Sequence, residues 1–260
     1  MFRSNRQLPL FLIALCAVFL MSARVGGSPE KLDMRMEEVS FSSADGANVS
    51  GSWIVPVPPP GSTQKQRWPV VVLLHDYGMN RRDWNVLIPD LIQAKFAVLA
   101  LDLREHGQQG SVGAAPASSE SMEYALKSGV SDVKACLKWL KSQKNVDAGR
   151  IGLAGIGIGS EITYLSSGFF KKKIKAAVVI CPSYSAVVDW KFAGVEPQGI
   201  LFCSASKSQQ GMAMFAAQTL ANFTKAPKRT IEYNSAACGI AMFYKHPGIK
   251  RAILDWMAQL

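Results

Sequence analysis

The sequence predicts an α/β protein whose mostly parallel, twisted sheet carries helices on both faces. Apolar runs such as residues 69–75 lack the alternation of a half-exposed strand, so they indicate strands buried on both faces. Other segments place apolar residues at helical spacing, most clearly over residues 126–140. A third observation is the apolar run at 151–154, which leads through a glycine-rich turn into a helical pattern. Alternating strands and helices of this kind build a parallel sheet.

The first elements are a hairpin and two buried strands with a helix between them. Alternating apolar residues flank the turn signal Asp45-Gly46 and predict a β-hairpin over residues 34–56. Residues 69–75 and 96–101 are predicted buried strands. Asn80 is a predicted helix N-cap, and the helix that follows has one apolar face: Trp84, Leu87, Ile88 and Leu91.

The second half continues the alternation. Residues 107–120 are rich in Gly, Ala and Ser and predict a loop before the amphipathic helix around 126–140. After the glycine turn, further strands and helices bring the sheet to about eight strands. The predicted strands are 176–181, 199–203 and 229–233, and the predicted helices are 212–222 and 249–257.

Residues 1–27 have the pattern of a secretory signal peptide. Arg3 and Arg6 precede a 14-residue apolar run at 8–21, and small residues follow from Ser22 to Ser28. The run is short for a membrane span, which needs about 20 residues. We therefore expect an exported protein, secreted or periplasmic, with a single domain over residues 28–260. The alternative is an uncleaved N-terminal membrane anchor.

The formal net charge of +10 comes from dispersed basic residues. Clusters at 171–175, 225–229 and 245–251 fall on several predicted loops and helix ends, as on a solvated basic surface. We expect no nucleic-acid partner, and membrane contact only through an uncleaved N-terminal segment. The expected partner is a small molecule or a protein.

The cysteines indicate neither a metal site nor a cofactor. Cys16 lies in the predicted leader, and the others show no CxxC or Cys/His spacing. Most of them lie in apolar runs, as small core residues do, and export would allow disulfides. The four outside the leader are Cys136, Cys181, Cys203 and Cys238.

The glycine turn has the layout of a nucleophile elbow, G-x-S-x-G, in which a serine tops a strained turn between strand and helix. Here the frame is residues 155–159, with Gly157 in the place of the serine. Glycine adopts positive φ without the strain that a larger residue meets, which amounts to about 1–3 kcal/mol. The motif therefore keeps the turn but lacks its nucleophile.

Together with residues 70–78, 82–84 and 97–107, this turn resembles the α/β-hydrolase family, and is most similar to small dienelactone-hydrolase-like esterases and lipases. The resemblance runs from about Glu37 to the C-terminus. It implies the α/β-hydrolase fold and a catalytic order of nucleophile, acid and histidine. The matching positions are Gly157, Ser208 (or one earlier, Lys207) and Cys238, so the resemblance implies that all three catalytic groups are missing.

The resemblance also implies an oxyanion hole that can survive the loss of the triad. Its backbone donors would come from Asp76, Tyr77 and Ile158 and would form an anion-binding nest at a helix N-terminus. Cys181, which ends the sixth predicted strand, is the best stray nucleophile, and Asp189 is a candidate relocated acid. His75 and His106 match structural histidines of the family, and His246 is expected to be exposed.

Three functions follow, in order of preference. The first is a catalytically inactive protein with a binding or interaction role. The second is a carboxylic-ester hydrolase that uses atypical residues. The third is a dinucleotide-binding protein, suggested by Gly155-x-Gly157 after a strand; however, Ser160 stands at the third glycine and no ribose-binding acid ends the next strand.

Cys181 and Cys238 are expected to meet. Both follow predicted strands at the edge of the sheet where ligands bind in open α/β folds. We expect two thiols, free or disulfide-linked, beside the empty nucleophile position, and sulfurs more than about 10 Å apart would exclude a bond.

Export predicts the N-terminus of the mature protein. Cleavage after the small residues that follow the apolar run should leave a chain that starts near residues 24–29. N-terminal sequencing of protein from the periplasm or medium measures this. Recovery of intact Met1 in a membrane fraction would establish the anchor instead.

Overall fold

The computed structural model describes residues 32–58, 60–61, 66–104, 119–183 and 197–260. Residues 32–260 form one compact unit. The predicted signal segment, His106, Asp189 and nearly all of the predicted loop 107–120 lie outside the described residues. Among the helices that the structure describes, none is long and apolar enough to cross a bilayer.

Eight strands form one sheet, as predicted. The order across the sheet is β1-β2-β4-β3-β5-β6-β7-β8. Strand β2 pairs antiparallel with β1 and β4, and all other neighbours are parallel. The strands are β1 Met34–Ser42, β2 Asn48–Pro56, β3 Trp68–Leu74, β4 Ala97–Leu101, β5 Val146–Ile156, β6 Ile174–Ile180, β7 Gln198–Ala205 and β8 Lys225–Tyr233.

Helices cover both faces of this sheet. In chain order the α-helices are α1 Ile88–Gln93, α2 Ser119–Ser142, α3 Ile158–Phe169, α4 Met212–Phe223, α5 Ala241–Lys245 and α6 Gly248–Met257. One core contains residues of α2, α3 and α4, and the core on the opposite face contains residues of α1, α5 and α6. Alternate residues of β3 enter the two cores, Val72 the first and Val71 the second. This explains why the strand is apolar without alternation.

The predicted helix after Asn80 is in fact two segments. Asn80 caps a 3₁₀ helix, Arg81–Val86, by accepting a hydrogen bond from the backbone N–H of Arg82. Helix α1 starts separately at Ile88 and has Pro89 in its first turn. Proline has no N–H to donate to the carbonyl four residues earlier, so a continuous α-helix cannot cross this point. The prediction of one helix was wrong for that reason.

The glycines of the elbow let α3 approach the sheet closely. A Cβ at Gly155 would overlap the backbone of Gly159 and lie 2.6 Å from the Ser160 nitrogen. A Cβ at Gly159 would overlap the carbonyl groups of Leu74 and His75 at the end of β3. These contacts are with backbone atoms, which move only if the whole turn moves. The two glycines are therefore required by packing.

Gly155→Ala should lower the free energy of unfolding by about 2–3 kcal/mol, because its methyl group overpacks the turn. The matched control is Gly248→Ala at the start of α6, where an added Cβ meets nothing within 4 Å. Alanine is the better helix former, so the control should be unchanged or slightly more stable. Urea unfolding measures both variants, and equal stabilities would contradict the packing argument.

Candidate functional site

The elbow turn has the backbone of a nucleophile elbow. Strand β5 ends at Ile156, α3 begins at Ile158, and Gly157 between them has φ 53° and ψ −122°. Residues with a side chain rarely adopt positive φ, so glycine relieves strain at this point. Ser160 lies within the first turn of α3, and its hydroxyl donates to the Gly157 carbonyl at 2.6 Å. It is therefore engaged along the helix and does not replace the missing nucleophile.

The carboxylate of Asp76 occupies the space that a nucleophile at position 157 would need. A Cβ built on Gly157 would overlap both oxygens and the Cγ of Asp76. Asp76 follows β3, and the carbon that it blocks belongs to a residue 81 positions later in the chain. The glycine at 157 and the aspartate at 76 are thus complementary in space.

The predicted anion-binding nest is present, and the protein's own carboxylate fills it. Oδ1 of Asp76 accepts hydrogen bonds from the backbone N–H of Tyr77 at 2.7 Å and of Ile158 at 3.2 Å. The second donor belongs to the first residue of α3, where the helix dipole favours negative charge. Tyr77 and Ile158 act as donors, as expected. Asp76, predicted as a third backbone donor, instead supplies the bound anion through its side chain.

The loop that carries Asp76 is anchored to the end of β4. Nε2 of His75 accepts from the Leu103 N–H at 2.9 Å, and Nδ1 lies 2.6 Å from the Asp76 carbonyl oxygen. The buried guanidinium of Arg81 donates to Asp102 at 2.7 Å. His75 is fully buried, and both of its ring nitrogens contact backbone atoms, so it serves the structure. These contacts hold the aspartate against the elbow.

A second buried carboxyl group, Glu161, lies one turn beyond the elbow. Its Oε1 accepts from the backbone N–H of Ser183 at 2.9 Å and from the hydroxyl of the same residue. Its Oε2 is buried without a partner within the described parts of the chain. Burial raises the pKa of Glu161 to about 7, and the negative charge of Asp76 acts in the same direction. Sequence reasoning missed this residue, although an acid in the apolar first turn after the elbow was a usable signal.

Cys181 and Cys238 form a disulfide, which confirms that they meet. Their Cα atoms are 5.9 Å apart. Cys181 directly follows β6, and Cys238 precedes Gly239, whose Cβ would lie 3.5 Å from Ile156 at the end of β5. The bond therefore lies beside the elbow. The interpretation of Cys181 as a stray nucleophile is wrong for this form of the protein, because a disulfide sulfur carries no thiolate.

Cys136 and Cys203 are free, and both are buried, as expected of small core residues. Burial raises the pKa of Cys203 to about 12, which keeps that thiol protonated. Cys136 lies in the core on the other face of the sheet, and its pKa is raised by burial as well. Neither thiol is poised for nucleophilic chemistry.

The acid and histidine positions lie at the same edge of the sheet. Ser208 is buried and starts a 3₁₀ helix that two residues separate from the end of β7, in the place predicted for the acid. The preceding Lys207 donates its N–H to the Ser235 carbonyl at 2.9 Å, which joins this loop to the one that contains Cys238. The structure thus brings Gly157, Ser208 and Cys238 to one edge, without a carboxylate or an imidazole at the last two.

His246 is half-buried rather than exposed. Its ring lies 5.0 Å from the ring of Tyr233, between centroids, and its Nε2 has no partner among the described residues. It follows α5, a short helix that the sequence analysis missed. The apolar contact with Tyr233 explains the burial.

A profile of the dienelactone hydrolase family matches residues 60–210, more than half of the chain. The chain belongs to the dienelactone hydrolase family. This confirms the resemblance drawn from the elbow and the strands around it. No curated protein matches the sequence.

Solved structures of similar proteins agree with the family in fold. An esterase of Pyrococcus furiosus, Pf2001, is 17% identical with a TM-score of 0.66, covering 90% of this chain and 96% of that one. An acetyl xylan esterase from Paenibacillus sp. R4 is 19% identical with a TM-score of 0.67, covering 90% and 86%. A putative dienelactone hydrolase from Klebsiella pneumoniae is 17% identical with a TM-score of 0.65, covering 88% and 100%. At these identities the likeness establishes the α/β-hydrolase fold.

Glu161→Gln should change how stability depends on pH. Because burial raises the pKa of Glu161 from 4.5 to about 7, its stabilising contribution is complete below 4.5 and is lost as the pH rises through 7. Between pH 5 and pH 8 the free energy of unfolding of the wild type should fall by on the order of 2–3 kcal/mol relative to that of the glutamine variant. Urea unfolding at both pH values measures this.

The control for this prediction is Glu37→Gln on the exposed face of β1, which removes the same charge without burial. The free energy of unfolding of this control should change with pH in the same way as that of the wild type. A pH dependence that Glu161→Gln leaves unchanged would show that Glu161 titrates as an ordinary glutamate.

Proposed function

We propose that this chain is an exported, non-hydrolytic member of the dienelactone hydrolase family with a binding role. The observation that carries the proposal is the carboxylate of Asp76, which accepts from both oxyanion donors and fills the nucleophile's space. Export rests on the sequence pattern of residues 1–27.

Ester hydrolysis at this elbow is opposed by charge. A tetrahedral intermediate needs the N–H groups of Tyr77 and Ile158 for its oxyanion. These groups already bind a carboxylate, and a second negative charge about 4 Å away would be repelled by about 4 kcal/mol at the effective dielectric of such a site. The oxyanion hole is therefore present in geometry but unavailable to substrate.

Hydrolysis at the elbow also lacks a nucleophile and the base that would activate it. An acyl-enzyme requires a nucleophile with a base in hydrogen-bond reach. Gly157 offers no nucleophile, and the sulfur of Cys238 is bonded to Cys181 where the family has its histidine. In hydrolases, removal of the triad leaves a residual effect of roughly 10³-fold over water through the oxyanion hole and binding. Here the oxyanion donors are occupied as well, so a smaller effect is expected.

The alternative, a hydrolase with atypical residues, is favoured by one observation: two carboxyl groups lie at the elbow. In that case Asp76 would be the nucleophile and Glu161, with its pKa near 7, the base. The dinucleotide alternative is less well supported, because the helix N-terminus that would bind the pyrophosphate already binds Asp76.

The proposal predicts catalytic silence. The wild type should hydrolyse p-nitrophenyl acetate no faster than Asp76→Asn/Glu161→Gln, and a fluorophosphonate probe should label no serine. Steady-state assays and intact mass spectrometry measure these outcomes. Turnover on the order of 10 s⁻¹ that disappears in the double variant would establish the carboxylate hydrolase instead.

Rebuilding the triad tests the blocking role of Asp76. Gly157→Ser/Ser208→Asp/Cys238→His supplies nucleophile, acid and base, but Asp76 still occupies the serine's space, so the probe should not react. Adding Asp76→Gly vacates that space and the oxyanion hole. Fluorophosphonate labelling of the serine introduced by Gly157→Ser is therefore expected only in the fourfold variant. Labelling of the threefold variant would show that Asp76 does not block the site.

A further inference from the structure

A basic pocket lies at the edge of the sheet opposite the elbow. It has a volume of about 510 Å³ and opens where the neighbouring strands β4, β3 and β5 begin. Its floor includes the buried rings of Trp68 and Phe96, and the second half of α6 forms one wall. This volume falls within the range of small-molecule sites, roughly 300–1,000 Å³.

Four cationic side chains line this pocket: Arg67, Lys95, Arg150 and Arg251. Asp255 is the single acidic side chain among the described residues of the lining. The cations come from four separate places in the chain, so the fold, and not a local run of basic residues, brings them together. Charge of one sign concentrated in a concave site attracts counter-charged ligands.

Two ion pairs at this site orient the guanidinium groups of Arg150 and Arg251 and leave some of their N–H donors available. Nε of Arg150 donates to Asp147 at 2.7 Å, and Nε of Arg251 donates to Asp255 at 2.8 Å. Each guanidinium keeps its two Nη groups as further donors. Arg67 and Lys95 make no ion pair with any residue that the structure describes. The pocket therefore has two cations outside any ion pair among these residues, although the Asp147 carboxylate also acts on Arg67 electrostatically.

Stabilisation of helix ends does not explain this arrangement. Lysine and arginine are favourable near helix C-termini, and Lys95 follows α1 closely enough to act in that way. Arg67, however, directly precedes β3, Arg150 lies within β5, and Arg251 lies in the first half of α6. Three of the four cations thus have no structural role at a helix end.

We propose that this pocket binds a small organic molecule that carries a phosphate group. Guanidinium groups match the geometry of phosphate oxygens and bind them in pairs. The aromatic floor would contact the apolar part of such a molecule. The inference goes beyond the proposed function, since it gives the binding role a site and a ligand class, and it does not depend on the chemistry of the elbow.

The test is isothermal titration of the full chain with inorganic pyrophosphate at low salt, about 50 mM NaCl, where screening is weak. Arg67→Gln/Lys95→Gln removes the two cations that form no ion pair and leaves both ion pairs intact. Lys172→Gln/Lys173→Gln removes the same charge from an exposed turn outside the pocket. The pocket variant should bind at least tenfold more weakly than the wild type, and the control within about twofold.

A second arm separates a soluble phosphate from a lipid headgroup. Vesicles of phosphatidylcholine with about 30% phosphatidic acid are sedimented with the same three proteins. Loss of vesicle binding in the pocket variant alone would assign the phosphate to a lipid; pyrophosphate binding without vesicle binding would assign it to a soluble molecule. Either result supports the site.

The proposal is overturned if the wild type binds neither probe, or if both double variants weaken binding equally, since diffuse surface charge would then account for it. Thermal unfolding of the variants verifies that they are folded. Ester turnover by the wild type would refute the proposed function and leave this site in place, so the two failures are distinguishable.

Discussion

The hydrogen bonds that Tyr77 and Ile158 donate to the carboxylate of Asp76 decide the character of this molecule. One of them satisfies the Ile158 N–H at the start of the buried helix α3, which would otherwise need water or a ligand. The carboxylate fits because Gly157 has no Cβ, and the positive φ of the turn suits glycine. The missing side chain at position 157 and the internal carboxylate therefore depend on each other.

The disulfide reinforces the same edge of the sheet. It joins the end of β6 to the loop after β8 across 57 residues of sequence, and closing a loop of that length stabilises the folded chain by about 4 kcal/mol through entropy. An oxidising compartment is where such a bond persists, which is consistent with the export pattern at the N-terminus. The loop where the resemblance implies a catalytic histidine thus contributes to stability here through Cys238.

The carboxyl ends and the amino ends of the strands differ in charge. At the carboxyl ends of the strands lie Asp76 and Glu161, and the ligand-binding groups there are taken by the protein itself. At the amino ends lies the basic pocket, where Arg67 and Lys95 stand outside any ion pair among the described residues. A fold whose catalytic edge is filled internally can still bind at the other edge, since fold and function are separable.

The sequence by itself determined the eight-stranded sheet and the elbow with Gly157, because hydrophobic periodicity and turn residues are local signals. The acid and histidine positions, Ser208 and Cys238, came from the resemblance to the family. The sequence also narrowed the site to one edge of the sheet, since parallel strands end together. Only the tertiary structure decided which anion fills the oxyanion hole, that Glu161 is buried beside it, and that four distant cations share one pocket. Those outcomes depend on distances between residues far apart in the chain, which neither spacing nor composition encodes.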